Sequence, residues 1–142
     1  DVSWCMNVGE KIDPEYEKWF QIVYDAREDA RQFIQARLDA GEKVRGYEVD
    51  RRLKERFEQL GCAQYLMHRT GHNIGHRCHG IGANLDDYET HDDRCLLPGT
   101  MFSIEPGLYT DKYGVRLEYD VHITSEGETK VYGPVQDEIL VI

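Results

Sequence analysis

Apolar residues recur every three or four positions in two segments of the first half of the chain, and this spacing predicts two amphipathic helices. The first segment is "DPEYEKWFQIVYDAREDARQFIQARLDAG", where Asp13 followed by Pro14 is typical of a helix start and Gly41 marks the end. Its buried stripe is expected to comprise Tyr16, Trp19, Phe20, Val23, Ala26, Ala30, Phe33 and Ile34. The second segment, "YEVDRRLKERFEQLG", ends at Gly61. Its buried stripe is expected to comprise Val49, Leu53, Phe57 and Leu60.

After Gly61 the period of the pattern shortens to two, which predicts strands. The predicted strands are "CAQYLMH", "TMFSIEPGLY", "YGVRLEYDVHIT", "ETKVYG" and "DEILVI", separated by Gly, Pro, Asp and Ser turns. Helices followed by a series of antiparallel strands indicate the α+β class. Because no repeat or linker interrupts the chain, residues 1–142 are expected to form one domain.

The segment "HRTGHNIGHRCHG" at residues 68–80 holds four of the six histidines. His68, His72 and His76 have the spacing of one helix face, but each glycine among them weakens a helix by about 1 kcal/mol relative to alanine. Glycine also allows the close backbone approach that a compact site on a strand or loop needs. A metal or catalytic use of these histidines is therefore favoured over a helical stripe or a polar turn.

Strict alternation in "GVRLEYDVHIT" places five apolar residues on one face of a strand and four polar residues on the other. The polar residues are Arg116, Glu118, Asp120 and His122. Antiparallel sheets often turn such a face to solvent, and the alternative is a concave face that binds a ligand. The pattern alone leaves both interpretations open.

Glu105 is a single acid in the otherwise apolar stretch "FSIEPG", and Pro106 ends the strand pairing directly after it. A carboxylate among apolar neighbours is costly to bury without a partner, so we expect a hydrogen-bond donor or a metal beside it. Histidine together with several carboxylates is a ligand set suited to Mn, Fe, Co or Zn.

Composition restricts the partners. Seventeen basic residues against 27 acidic ones give a formal charge of -10, which argues against a nucleic-acid or membrane-surface binder. No apolar run reaches membrane-spanning length, and no signal-peptide pattern is present. The four cysteines form no CxxC pair, so we expect free thiols and a cytoplasmic location. These cysteines are Cys5, Cys62, Cys78 and Cys95.

Three motifs in order, "HRTGH", "SIEPGLY" and "YGVRLEYDVHIT", resemble those of the pita-bread metallopeptidases. That family includes methionine aminopeptidase, aminopeptidase P and prolidase, with creatinase as a relative that is not a peptidase. The segment "DVSWCMNVG" is similar to the family's D-x-T-R-T-F-x-V-G, so the resemblance covers nearly the whole chain. The EPG-x-Y and G-V-R-x-E forms resemble the prolidase and aminopeptidase P branch. The implied fold is the C-terminal portion of the pita-bread fold, with two helices packed on a curved antiparallel sheet.

The resemblance implies a role for each matching residue. The implied ligands of two divalent ions (Mn, Co, Fe or Zn, with manganese expected) are Asp1, His72, Glu105 and Glu118. The implied catalytic residues are Glu105 as proton shuttle, His68 and His79 as oxyanion donors, and Arg116 beside the metals. The histidines that match no motif position, and for which surface positions are expected, are His76, His91 and His122.

Two departures from the family pattern matter. The family's first metal-binding aspartate lies upstream of the position that Asp1 matches, and "SWCM" stands where the family has T-R-T-F. We therefore expect residues 1–142 to be a partial catalytic domain that lacks the N-terminal strands with the first aspartate. Alone, this chain is expected to bind at most one metal ion and to be inactive.

Three functions remain as hypotheses. The first is a metallopeptidase, or a fragment of one, that hydrolyses bonds adjacent to proline in short peptides by two-metal activation of water. The second is a creatinase-like carbon–nitrogen hydrolase, and the third is a non-catalytic binding module of the same shape. Retention of His72, Glu105 and Glu118 together argues against the third. The expected partner is a short peptide, with no nucleic acid and no membrane, and a homodimer is left open.

Overall fold

Two helices begin and end where the sequence predicts. In the computed structural model, which describes residues 1–142, helix α1 spans Pro14–Asp39 and helix α2 spans Gly46–Gln59. The Asp13 side chain accepts a hydrogen bond from the Glu15 amide and caps α1. Beyond the helices, Gly41 and Gly61 take positive φ values of 70° and 67°, the backbone conformation that commonly terminates a helix.

The apolar stripes of both helices pack on one core, with two differences from the prediction. Trp19 and Phe33 are only partly buried. Leu60 is 51% exposed, so its predicted burial is wrong, because it is the C-cap residue where the α2 stripe has ended. The core also contains a charge that the pattern did not predict. Arg27 of α1 is 1% exposed, its guanidinium lies 4.5 Å from the Tyr119 ring centroid, and it donates to the Gln136 carbonyl.

Eight short strands form the rest of the framework. They are β1 (Met6–Asn7), β2 (Asn73–Ile74), β3 (Met101–Ile104), β4 (Gly107–Tyr109), β5 (Gly114–Arg116), β6 (Tyr119–Ile123), β7 (Thr129–Tyr132) and β8 (Leu140–Val141). An antiparallel sheet has the order β2-β3-β6-β7, β4 pairs with β5, and β1 pairs with β8. The α+β class is confirmed. No helix of the structure combines the length and the apolarity that a membrane crossing demands.

Several predicted strands differ from the observed ones. "CAQYLMH" is not a strand but contains one 3₁₀ turn, Ala63–Tyr65, which is separated from the end of α2 by residues 60–62. The β1–β8 pair is parallel, so the strand series is not antiparallel throughout. "GVRLEYDVHIT" forms two strands, β5 and β6, because the backbone between them leaves the sheet and pairs with Ser3.

Breaks in both motif strands set up the site. Strand β3 ends at Ile104 and β4 begins at Gly107, so Glu105 and Pro106 lie between strands, as Pro106 predicts. Glu118 lies in the corresponding break between β5 and β6. Ile104 pairs with Tyr119 across the antiparallel β3–β6 ladder. Glu105 follows the first of these residues and Glu118 precedes the second, so the two acids are neighbours. The two breaks therefore place Glu105 beside Glu118.

Candidate metal centre

One polar cleft of about 390 Å³ collects every residue that the sequence singled out as a ligand or catalytic group. No hydrophobic residue lines it, and four carboxylates face two guanidinium groups and three imidazoles. The lining residues are Asp1, His68, Arg69, His72, His79, Glu89, Glu105, Arg116 and Glu118. A cleft with this excess of carboxylates attracts cations.

Backbone contacts fix the positions of the four predicted ligands. Asp1 is carried by the segment whose Ser3 carbonyl accepts from the Glu118 amide at 3.1 Å. The His72 amide donates to the Ser103 hydroxyl at 3.0 Å, and the Ser103 amide donates to the His72 carbonyl at 2.9 Å. The Ser103 hydroxyl in turn donates to Glu105 Oε1 at 3.1 Å. Two sets of hydrogen bonds, one between Ser3 and Glu118 and one through Ser103, thus hold ligands that lie far apart in the sequence.

The orientation of His72 fits a metal ligand. Its Nδ1 lies 3.2 Å from the Asn73 carbonyl, which can only accept, so Nδ1 carries the hydrogen and Nε2 presents a lone pair. That Nε2 lies 3.4 Å from Glu105 Oε1 and 3.5 Å from Asp1 Oδ2. A lone pair facing two anionic oxygens is unfavourable unless a cation or a proton lies between them. A backbone acceptor on the second nitrogen is a common arrangement for histidine ligands.

Glu118 completes the ligand set and is itself buried. Its ligand oxygen lies within 4.8 Å of those of Asp1 and His72, and the residue is 3% exposed. The Ser3 hydroxyl donates to Glu118 Oε2 at 2.6 Å, and Arg116 Nε donates to the Ser3 hydroxyl at 3.0 Å. One hydrogen bond from the Ser3 hydroxyl does not balance a buried carboxylate that faces other carboxylates, whereas a divalent ion would. The residues present therefore fit a divalent metal centre with oxygen and imidazole ligands.

The two cleft histidines other than His72 differ in their freedom to act as donors. His68 Nδ1 lies 2.8 Å from the Arg69 carbonyl, so its Nε2 accepts from the Tyr109 hydroxyl at 2.7 Å. Burial raises the pKa of Tyr109, which keeps this hydroxyl protonated. Both nitrogens of His68 are thereby engaged. His79 makes no hydrogen bond to the protein, and its ring lies 4.2 Å from that of His72.

Arg69 is held at the rim of the cleft by a buried acid. Its guanidinium lies 3.4 Å from both Asp86 Oδ2 and Glu89 Oε2. Asp86 is fully buried and accepts from the Tyr88 and Glu89 amides and from the Thr90 hydroxyl. Burial raises the pKa of Asp86, but these hydrogen bonds outweigh it and the pKa is lowered overall.

The remaining histidines lie outside the cleft. His76 and His91 are exposed, and His91 pairs with Asp87 at 2.6 Å. His122 is half-buried against the Tyr132 ring. Their positions agree with the surface roles predicted for them.

Ser3, Ser103 and Tyr109 were missed by the sequence reasoning. A signal existed for two of them. Ser3 is a hydroxyl residue two positions after Asp1, where the family motif has threonine, and Ser103 shares the strand face of Glu105 by alternation. Tyr109 is recognisable only once β4 turns back beside the histidine segment.

A second cavity, of about 540 Å³, adjoins the polar cleft and shares Arg116 with it. Most of its lining is apolar or aromatic. The lining residues are Ser3, Trp4, Cys5, Met6, Tyr16, Tyr109, Gly114 and Arg116. An apolar chamber beside a charged centre can receive a side chain or ring of a bound molecule.

Comparison with known proteins places this chain in a family. The family model of metallopeptidase family M24 matches residues 1–125. The chain is 36% identical over 90 residues to the protein named "Probable dipeptidase PepE" of Mycobacterium tuberculosis, covering 62% of this chain and 23% of that protein. It superposes on an X-Pro aminopeptidase of Thermotoga maritima with a TM-score of 0.83 and 26% identity, over 100% of this chain and 37% of that one. It superposes on a prolidase of Thermococcus sibiricus with a TM-score of 0.81 and 26% identity, over 99% of this chain and 35% of that one. The chain thus spans between 23% and 37% of the length of these relatives.

Proposed function

The chain belongs to metallopeptidase family M24, and from that premise we propose that it forms part of a metal-dependent peptidase that hydrolyses the bond adjacent to proline in short peptides. The observation that carries the proposal is the convergence of Asp1, Glu105 and Glu118 around the free Nε2 of His72. Three anionic side chains around one imidazole lone pair have no use in a binding module without a cation.

The two divalent ions of the intact centre would be held by Asp1, His72, Glu105 and Glu118. We propose that these ions are manganese. Such ions supply Lewis-acid chemistry, since they lower the pKa of water and polarise a scissile carbonyl. Within residues 1–142, this ligand set consists of three carboxylates and one imidazole. We therefore propose that this chain by itself holds at most one ion and does not turn over peptides.

Glu105 is the residue best placed to move protons. Its Oε1 accepts from Ser103, while its Oε2 faces the cleft at 4.0 Å from Arg116. It would take the proton of the attacking water and deliver it to the amine that leaves. The Arg116 guanidinium would pair with this carboxylate in its ionised form, before the first step and again after the second.

His79 is the better oxyanion donor of the two candidates. Both nitrogens of His68 are engaged, by the Arg69 carbonyl and by Tyr109, whereas His79 is free to donate. One such donor is typically worth about 3 kcal/mol in the transition state. His68 then acts as a positioning residue that orients Tyr109 between the cleft and the adjoining cavity.

The two cavities support the proposed substrate class. Arg116 borders both and is exposed, so its guanidinium can pair with the free carboxylate of a short peptide. The apolar and aromatic walls around Trp4, Tyr16 and Tyr109 suit an uncharged ring such as that of proline. All four thiols are free, which supports a cytoplasmic location as part of this proposal.

Hydrolysis assays on the longest form of the protein that its gene encodes would test the proposal. With Mn²⁺ added, Xaa-Pro dipeptides should be cleaved at least tenfold faster than matched Xaa-Ala dipeptides. Chelation should abolish both activities. Cleavage of creatine in place of peptides would establish the carbon–nitrogen hydrolase instead, and tight peptide binding without turnover would establish a binding module.

A further inference from the structure

Cys78 places a thiol directly against the oxygen-rich centre. Its Sγ donates a hydrogen bond to Asp1 Oδ2 at 2.9 Å, and the residue is exposed. Together with His72 and His79 it forms a group whose ligand atoms all lie within 4.8 Å of one another. Neither Glu105 nor Glu118 belongs to this group, so it is chemically distinct from the carboxylate set described above.

The geometry of this group is close to that of a tetrahedral zinc site. Zinc bonds of about 2.0–2.1 Å to nitrogen and about 2.3 Å to sulfur place neighbouring ligand atoms about 3.4–3.7 Å apart. A contraction of about 1 Å would therefore close the group on an ion. Cys78 and His79 are both exposed and stand between Gly75 and Gly80, so their segment can make this adjustment.

His72 is the anchor of the group. It is 4% exposed, its Nδ1 is fixed by the Asn73 carbonyl, and its Nε2 has no hydrogen-bond partner. Asp1 Oδ2 lies within 3.5 Å of both that nitrogen and the Cys78 sulfur, so the carboxylate can fill a fourth position. A buried, unpartnered imidazole nitrogen aimed at a thiol and a carboxylate points to a ligand between them.

We propose that His72, Cys78 and His79, with Asp1 at the edge, form a thiolate-containing metal site that binds Zn²⁺, Cd²⁺ or Co²⁺ in preference to Mn²⁺. Binding releases the thiol proton to solvent, and the thiolate becomes the ligand. Thiolate ligands favour soft and borderline ions over Mn²⁺. Because the site shares His72 and Asp1 with the carboxylate centre and takes up His79, its occupation and peptidase activity exclude one another.

Cobalt titration of the full chain tests the site directly. A thiolate-to-cobalt charge-transfer band should appear in the near ultraviolet and saturate at one ion per chain. Cys78→Ser should abolish the band, while the matched Cys95→Ser, which alters a thiol that no metal-ligand group contains, should leave it intact. Absence of the band in the unaltered protein, or its persistence in Cys78→Ser, would overturn the proposal.

Two further variants separate this proposal from the proposed function. Glu105→Gln should leave the charge-transfer band in place even though it removes peptide hydrolysis, since Glu105 is not a ligand of the thiolate site. His79→Ala should raise the Kd for cobalt, measured from the charge-transfer band, at least tenfold. Loss of the band in Glu105→Gln would show that the thiol only borders the carboxylate centre.

Alkylation of Cys78 gives an independent measurement. Zn²⁺ should slow its reaction with iodoacetamide at least tenfold, and Mn²⁺ at the same concentration should not. Equal protection by both ions would contradict the selectivity that a thiolate ligand confers. Far-ultraviolet circular dichroism of each variant checks that the fold is retained, which is expected because Cys78 is on the surface.

Discussion

Glu105 is the single residue on which the proposed chemistry depends most. Glu105→Gln keeps the volume and the oxygen that accepts from Ser103, but it removes the group that accepts a proton. We expect kcat to fall by about 10²–10⁴ while the thermal midpoint of the metal-free protein changes little. Kinetics on Xaa-Pro dipeptides measure the first quantity and calorimetry the second.

Glu89→Gln is the matched control, because Glu89 lines the same cleft but only pairs with Arg69 at the rim. It should keep most of the activity. Near-normal turnover in Glu105→Gln would remove the proton-shuttle role.

Asp86 gives a prediction about pH. Its lowered pKa means that it stabilises the fold fully above the ordinary aspartate value of about 3.9 and loses this contribution as the pH falls through the lowered value. Asp86→Asn leaves the surrounding donors imperfectly paired, so the free energy of unfolding at pH 7 should fall by about 1–3 kcal/mol. Urea denaturation from pH 7 to pH 3 should show the gap between the two proteins narrowing. A constant gap would mean that charge is not what Asp86 contributes.

At this scale the sequence predicts the candidate metal ligands but not the residues that position them. His72, Glu105 and Glu118 stand in recognisable motifs, and the structure brings them together. Ser3 and Tyr109 act through partners 115 and 41 positions away along the chain. No local pattern encodes such a contact, because it exists only once the strands are packed.

Strand β2 depends on a glycine that precedes it. A Cβ added to Gly71 would lie 2.0 Å from the Ser103 carbonyl oxygen, so the histidine segment approaches β3 more closely than any side chain allows. Gly71→Ala should therefore destabilise the fold by about 1–3 kcal/mol and displace His72 from the carboxylates. Chemical denaturation measures the first effect and metal affinity the second.

Gly75→Ala provides the comparison within the same segment. Its added Cβ would meet nothing nearer than Gly80 Cα at 3.5 Å, so stability should change by less than about 0.5 kcal/mol. Equal losses in the two variants would show that backbone flexibility, and not close packing, is what the segment needs.

Elements were predictable in proportion to their length. Helices α1 and α2 have several turns of apolar periodicity and a capping residue or glycine at their ends, and both were found. Strands β1 and β8 have two residues each, too few for a period to show, and their parallel pairing depends on the rest of the fold. "CAQYLMH" has the composition of a strand, but part of it forms the 3₁₀ turn Ala63–Tyr65 and none of it pairs in a sheet.

For the molecule as a whole, metal binding should be visible as stability. An ion that binds only the folded chain at a hundred times its Kd adds about 2.7 kcal/mol, or roughly 5–10 °C in Tm for a domain of this size. Mn²⁺ or Co²⁺ should produce this shift with at most one ion per chain. His72→Ala should remove it, since every ligand group described here contains His72. Two tightly held ions would contradict the limit that four ligands impose.

The pairing of β1 with β8 has a consequence for biosynthesis. A ribosome delivers residues in order, so both helices and the histidine segment can be in place while the far end of the chain is still being made. Met6 and Asn7 have no strand partner until Leu140 and Val141 arrive, although Ser3 can already pair with Glu118. Metal uptake at the full ligand set therefore cannot start on a half-made chain. An ion at this ligand set would then be one that the protein meets after Glu118 has emerged.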